Sequence, residues 1–189
     1  QHVTQCGTAG AHSPSVTGHR QRQPAVPGSG GVFGASVIVW REVLRVTVPG
    51  PPVPKGRPRF FLKNKQVRTY TDKKTAAFEK RVALCVSSSP MLRGQARPLC
   101  GGGPVRVDIV AVFPRPQRLQ AKRHPDGLVA KYARPDIDNV AKACLDGIGL
   151  ATGLIWNDDG QVQTLRAEAY YAERDQAPRT ELVIYIPTE

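Results

Sequence analysis

Val105, Val107, Ile109, Ala111 and Phe113 place an apolar side chain at every second position, with Arg106 and Asp108 among the residues between them. Alternation of period two puts these side chains on one face of an extended strand. The run is long and apolar enough for the strand to lie inside a sheet, and the rest of the chain has to supply that sheet. Leu44, Val46 and Val48 alternate before the break at Pro49-Gly50-Pro51-Pro52, and Leu182, Ile184 and Ile186 alternate near the end. Phe60 to Leu62 and Gln66 to Tyr70 read as a hairpin around Lys63-Asn64-Lys65, and a further strand is expected from Gln161 to about Tyr171. Two segments change to helical spacing. Ala77, Phe78, Val82, Cys85 and Val86 form one apolar stripe, capped by Thr71 or Asp72, and Val140, Ala143, Cys144 and Ile148 form the other. Leu154-Ile155-Trp156 before the Asn157-Asp158-Asp159-Gly160 turn reads as the first arm of a second hairpin. The order is strand, hairpin, helix, strand, helix, hairpin, strand. It predicts an α+β fold: a small mixed or antiparallel sheet with helices packed on one face.

A chain of 189 residues suits one domain with a tail. Residues 1–40 hold Arg20 and Arg22 and no acid, and are rich in Gly, Ser, Pro and Gln. They read as a disordered or mis-assigned extension, ahead of a folded domain spanning 43–187. The formal net charge of +12 points to a polyanionic partner, most directly nucleic acid. Cys6, Cys85, Cys100 and Cys144 contain no CxxC spacing, so they read as reduced thiols of a cytoplasmic protein rather than zinc ligands. No apolar run reaches the length of a membrane span, and neither a Walker A nor a Rossmann glycine pattern occurs.

The chemistry concentrates in Arg134-Pro135-Asp136-Ile137-Asp138-Asn139 and the later Asp158-Asp159 pair. Proline disfavours helix at the residue before it, so Asp136 and Asp138 are expected to enter extended and share one side. Paired carboxylates of this kind suit Mg²⁺, a hard ion that takes oxygen ligands and keeps several waters, with Mn²⁺ as a substitute. The competing reading makes Asp136 and Asp138 helix-terminal caps and Asp158 and Asp159 turn formers. Lys142, one turn beyond Asp138, either faces a phosphate or pairs with Asp138. Basic side chains surround the acids: Lys55, Arg57 and Arg59 in a proline-rich loop, and Arg118, Lys122, Arg123, Lys131 and Arg134 in the segment 114–134. That segment reads as a flexible arm over a nucleic-acid site. Together these features suit metal-assisted phosphodiester chemistry.

The run Arg134 to Asn139, then Lys142-Ala143 and Leu145-Asp146-Gly147, then Trp156-Asn157-Asp158-Asp159-Gly160-Gln161-Val162, resembles the RusA-type Holliday-junction resolvases, as do Pro54 to Arg59 and Tyr70-Thr71 ahead of a helix. The match covers about Leu44 to Ile186. The resemblance implies a homodimer that binds four-way DNA junctions and cuts them symmetrically with Mg²⁺, in recombination and repair. It assigns Asp136, Asp138 and Asp159 as metal ligands and Lys142 as a catalytic or phosphate-facing lysine, with Asp146 in support. The chain departs from the family at Ala169, where a lysine is usual, and in the length of the 114–134 arm. The alternatives are a non-catalytic basic DNA-binding protein, or an inactive relic, and a metal nuclease of broader substrate range.

Overall fold

The computed structural model describes residues 38–57, 59–63, 66–70, 72–151 and 153–188, with backbone alone for the 59–70 segment. The expectation of disorder for residues 1–40 therefore lies almost wholly outside the described residues. The first strand, β1 (Trp40–Pro49), starts ahead of Val43 and carries a bulge between Glu42 and Leu44. β2 (Arg59–Lys63) and β3 (Gln66–Tyr70) pair antiparallel as the expected hairpin. Then come α1 (Lys73–Ser87), β4 (Val105–Phe113), β5 (Val129–Ala130), α2 (Ile137–Leu150), β6 (Val162–Tyr171) and β7 (Arg179–Pro187).

The main sheet has five strands in the order β1-β7-β4-β6-β5. β4 and β6 run parallel, and the other pairs are antiparallel. A parallel pair needs a crossover connection, and α2 supplies it. The fold is α+β with a mixed sheet, and β4 sits at its centre, between β6 and β7.

One core joins sheet and helices. Phe78, Val82 and Val86 from α1 and Val140, Ala143, Cys144 and Ile148 from α2 are buried against Leu44, Val107, Ile109 and Ile184 of the sheet. The intervening sheet positions carry ion pairs such as Arg106–Asp108 and Arg179–Glu181. Asp72 caps α1 by accepting from the Lys74 amide at 3.1 Å, satisfying one of the orphan donors of the first turn. The helices touch at Gly147, where an added Cβ would lie 2.6 Å from the Val82 Cβ and 2.9 Å from the Glu79 carbonyl oxygen. Only glycine permits so close a crossing.

Two expectations are corrected. Leu154 to Trp156 is not a strand: its carbonyls at Leu154 and Ile155 accept from the amides of Leu99 and Cys100, at 3.0 and 2.8 Å. The Asp158 region is then the turn from α2 into β6 rather than the tip of a hairpin. The segment 114–134 is not a loose arm either. Arg115 donates to the carbonyls of Leu119, Pro125, Gly127 and Ala172, and Arg174 holds those of Ala121 and His124 as well as the Asp126 carboxylate. A short 3₁₀ turn (Gln117–Leu119) and β5, paired to Tyr170 and Tyr171, complete its packing.

Candidate active site

Asp136 and Asp138 open α2. Asp136 occupies the N-cap position in extended backbone but makes no side-chain capping bond, and Asp138 lies in the first helical turn. The helix starts at Ile137, so the two carboxylates are not on one side of a strand, as the proline argument had suggested. Neither is spent on capping the helix.

Lys131 builds the entry to this corner. Its amide donates to the Ala169 carbonyl at 2.9 Å, and its ammonium reaches the carbonyls of Ala133 and Pro135 while lying 4.3 Å from the centre of the Phe113 ring. Burial pushes the ammonium below its ordinary pKa, against the opposing pull of Asp136. Lys131 is thus half-buried and fixes the turn that carries Asp136; its charge is directed inward. Ala169 lines the same cavity as Lys131, Asp136 and Asp138. Lys142 approaches Asp138 at 3.4 Å, with both side chains 63% exposed. Such an exposed i,i+4 pair contributes roughly 0.3–0.5 kcal/mol, so Lys142 can exchange this partner for a phosphate at little cost.

Asp158 and Asp159 divide their work. Asp158 caps the 3₁₀ turn Asp159–Gln161, accepting from the Gly160 amide at 2.6 Å. Gln161 completes a capping box: its side-chain Oε1 accepts from the Asp158 amide at 3.3 Å and from the Asn157 amide at 2.8 Å, and its Nε2 donates to the carbonyls of Gly103 and Gly101 at 2.9 and 3.0 Å. Asp159 accepts from the indole nitrogen of buried Trp156 at 2.9 Å. The turn reading therefore holds for Asp158, while Asp159 is an exposed carboxylate held by one donor.

These acids do not converge within one chain. A Cβ placed on Gly149 would sit 3.9 Å from Asp159 Oδ1, so Asp159 lies near the end of α2 opposite Asp138. Gly149 is eleven residues after Asp138, or roughly 16 Å along a helix. Among the described residues, no group of three or more His, Cys, Asp or Glu side chains is arranged to hold a metal.

The basic residues separate similarly. Arg57, Arg118, Lys122, Arg123 and Arg134 are exposed, whereas the Arg59 side chain lies outside the described residues. Lys55, expected to meet a phosphate, instead bridges Glu79 at 2.6 Å and Asp146 at 2.5 Å. Its amide also donates to the Asn139 carbonyl at 2.7 Å. Lys55 thereby ties its loop to both helices, and Asp146 supports this bridge rather than the acid cluster.

A family model described as Endodeoxyribonuclease RusA matches residues 49–185, from the end of β1 to the last strand. The chain belongs to the RusA family. It is also similar to a protein of Bacillus subtilis (strain 168) named "Uncharacterized protein YqaN", with 32% identity over 149 residues, covering 76% of this chain and 96% of that protein. Within this RusA-family chain, sequence reasoning missed Trp156 as the residue that holds Asp159 and Gln161 as the residue that fixes the turn carrying it. The D-D-x-Q spacing was the available signal for Gln161, since a glutamine three residues after an aspartate N-cap is a capping-box pattern. For Lys131 the charge was visible, but its inward direction was not.

Proposed function

We propose that this RusA-family chain is an Mg²⁺-dependent, structure-specific endodeoxyribonuclease that resolves Holliday junctions by paired symmetric nicks, acting as a homodimer in recombination and repair. The observation that carries this reading is the division of the acids between the two ends of α2. Asp136 and Asp138 stand free of capping bonds at one end, and Asp159 is aimed by Trp156 at the other. Two copies with their α2 helices antiparallel about a two-fold axis would bring Asp159 of each to Asp136 and Asp138 of the other, giving two equivalent sites. Leu165, 45% exposed on β6, adds apolar surface for such a contact. Mutually repelling carboxylates brought together in this way suit a hard divalent ion, with Mn²⁺ as a substitute. Bound there, Mg²⁺ would polarise the phosphate and activate water.

The protein's own residues would do the rest. Lys142 would leave Asp138 to neutralise the phosphate under attack. Arg57, Arg118, Lys122, Arg123 and Arg134 would engage the backbones of the branched DNA, while Lys131 would hold the Asp136 turn in place. No helix among the described residues is long and apolar enough to cross a membrane, and a cytoplasmic site of action accords with the DNA substrate.

The test is cleavage of an end-labelled four-way junction beside a linear duplex of the same sequence, with Mg²⁺, Mn²⁺ or EDTA. Paired nicks confined to the junction and to the metal-containing reactions are expected. Tight junction binding without cleavage in either metal would overturn the enzymatic reading, and equal cutting of duplex would overturn the selectivity.

A further inference from the structure

Tyr132 is the most exposed large apolar side chain among the described residues, at 93% of its full accessible surface. Aromatic residues make up only 6% of the chain, and Phe78, Phe113 and Trp156 are all buried. A ring left in water invites an explanation, and its surroundings narrow the choice. Tyr132 does not sit on a slack loop. On one side Val129 and Ala130 pair with Tyr171 and Tyr170. On the other, the Lys131 ammonium binds the carbonyls of Ala133 and Pro135. The clamp spans Tyr132, so the ring is presented from a fixed backbone. It also lines the cavity shared with Asp136 and Asp138, beside the exposed Arg134.

An aromatic face on a fixed backbone, next to carboxylates and an exposed guanidinium, suits one chemistry: a nucleobase whose phosphate lies at the acids. Stacking on an aromatic side chain is tolerant of base identity but requires a base face not already covered by neighbours. Continuous duplex offers no such face, whereas a branch point does. We propose that Tyr132 stacks on an unstacked base at the branch point, next to the cleaved phosphate, and so sets the preference for branched over linear DNA. The proposal rests on the nuclease reading above and adds a specificity-determining residue to it.

The experiment uses the full chain and four-way junctions carrying 2-aminopurine at each branch-point position in turn, with Ca²⁺ replacing Mg²⁺ so that binding is read without cutting. Wild type and Tyr132→Phe are expected to quench one branch-point position, and Tyr132→Ala to leave it bright. Junction affinity should fall roughly 5- to 150-fold in the alanine variant, the range for losing one stacked base, with duplex affinity nearly unchanged. Sedimentation of the same variant supplies a second readout: conversion to monomer would make Tyr132 a subunit contact and overturn the proposal. Cleavage by wild type in Mg²⁺ separates the two levels of inference. If wild type does not cut, the nuclease reading fails. If wild type cuts while Tyr132→Ala keeps both quench and junction preference, only the stacking role is overturned.

Discussion

The indole nitrogen of Trp156 donates to Asp159 Oδ1 across 2.9 Å, and the ring that carries it is 4% exposed. A carboxylate at the surface is thus oriented by a group locked in the core. Trp156→Phe keeps most of the apolar volume and removes the donor. If Asp159 holds the metal as proposed, junction cleavage should fall about 10- to 100-fold, the usual effect of losing a group that orients a metal ligand. Junction binding should change little. A variant that cuts as well as wild type at limiting Mg²⁺ would show that Asp159 needs no such support.

If each site takes Asp136 and Asp138 from one copy and Asp159 from the other, two dead variants should rescue each other. A mixed dimer of Asp138→Asn with Asp159→Asn has one doubly altered site and one intact site. Each variant alone should be inactive. An equimolar, re-associated mixture should recover about one quarter of wild-type sites and yield unpaired nicks. Continued inactivity, with subunit exchange verified by fluorescence transfer between labelled copies, would place the three acids in a single chain.

Lys55 between Glu79 and Asp146 makes a pH-dependent contribution to stability. Burial opposes its charge, but the hydrogen bonds to Asp146 and Glu79 outweigh that, so its pKa is raised in the fold. A raised lysine stabilises fully below its unfolded pKa of about 10.4, and the contribution is lost as pH climbs through the higher folded value. Lys55→Met leaves the nearly buried Glu79 without its cation and should cost about 1–3 kcal/mol at pH 7, less than a fully buried pair would. Urea melts from pH 7 to 11 should show the gap between wild type and variant closing only at the alkaline end. A constant gap would mean that the methionine disturbs packing rather than charge.

Gly147→Ala sets helix propensity against packing. Alanine favours the helix by about 1 kcal/mol, while its Cβ would press on Val82 and on the Glu79 backbone, an overpacking cost of about 3 kcal/mol. A net loss of about 2 kcal/mol is expected by denaturant titration. Adding Val82→Ala should recover little, because the Glu79 carbonyl stays in place. A stabilised Gly147→Ala would show that the helices part easily at this crossing.

Features encoded by short periods were legible in the sequence: β4 in the alternation from Val105, α1 in the stripe through Phe78 and Val82, and the β2–β3 hairpin around Lys63. The acids were legible as types and spacings, but their relative placement was not. Asp158-Asp159 follows α2 after a short connection, and nothing local says whether the chain turns back to the start of the helix or stays at its end. Gln161 was hidden for another reason. Its partners are backbone carbonyls 58 and 60 residues away, and every residue has such a carbonyl. The same holds for Lys131, whose charge suggested DNA while its geometry points to the fold. Leu154 to Trp156 looked like a strand because buried apolar residues do so whenever their backbone is satisfied elsewhere.

The Arg115 guanidinium holds the 114–134 segment through carbonyl oxygens alone. An ion–dipole contact of this kind is short-ranged and directional, and dissolved salt screens it far less than it screens two separated charges. If Arg118, Lys122 and Arg123 hold DNA, raising ionic strength should strip it from them while the scaffold presenting them keeps its shape. Binding would then be reversible by salt without any refolding step, and a chain washed from DNA would be ready at once to engage the next molecule.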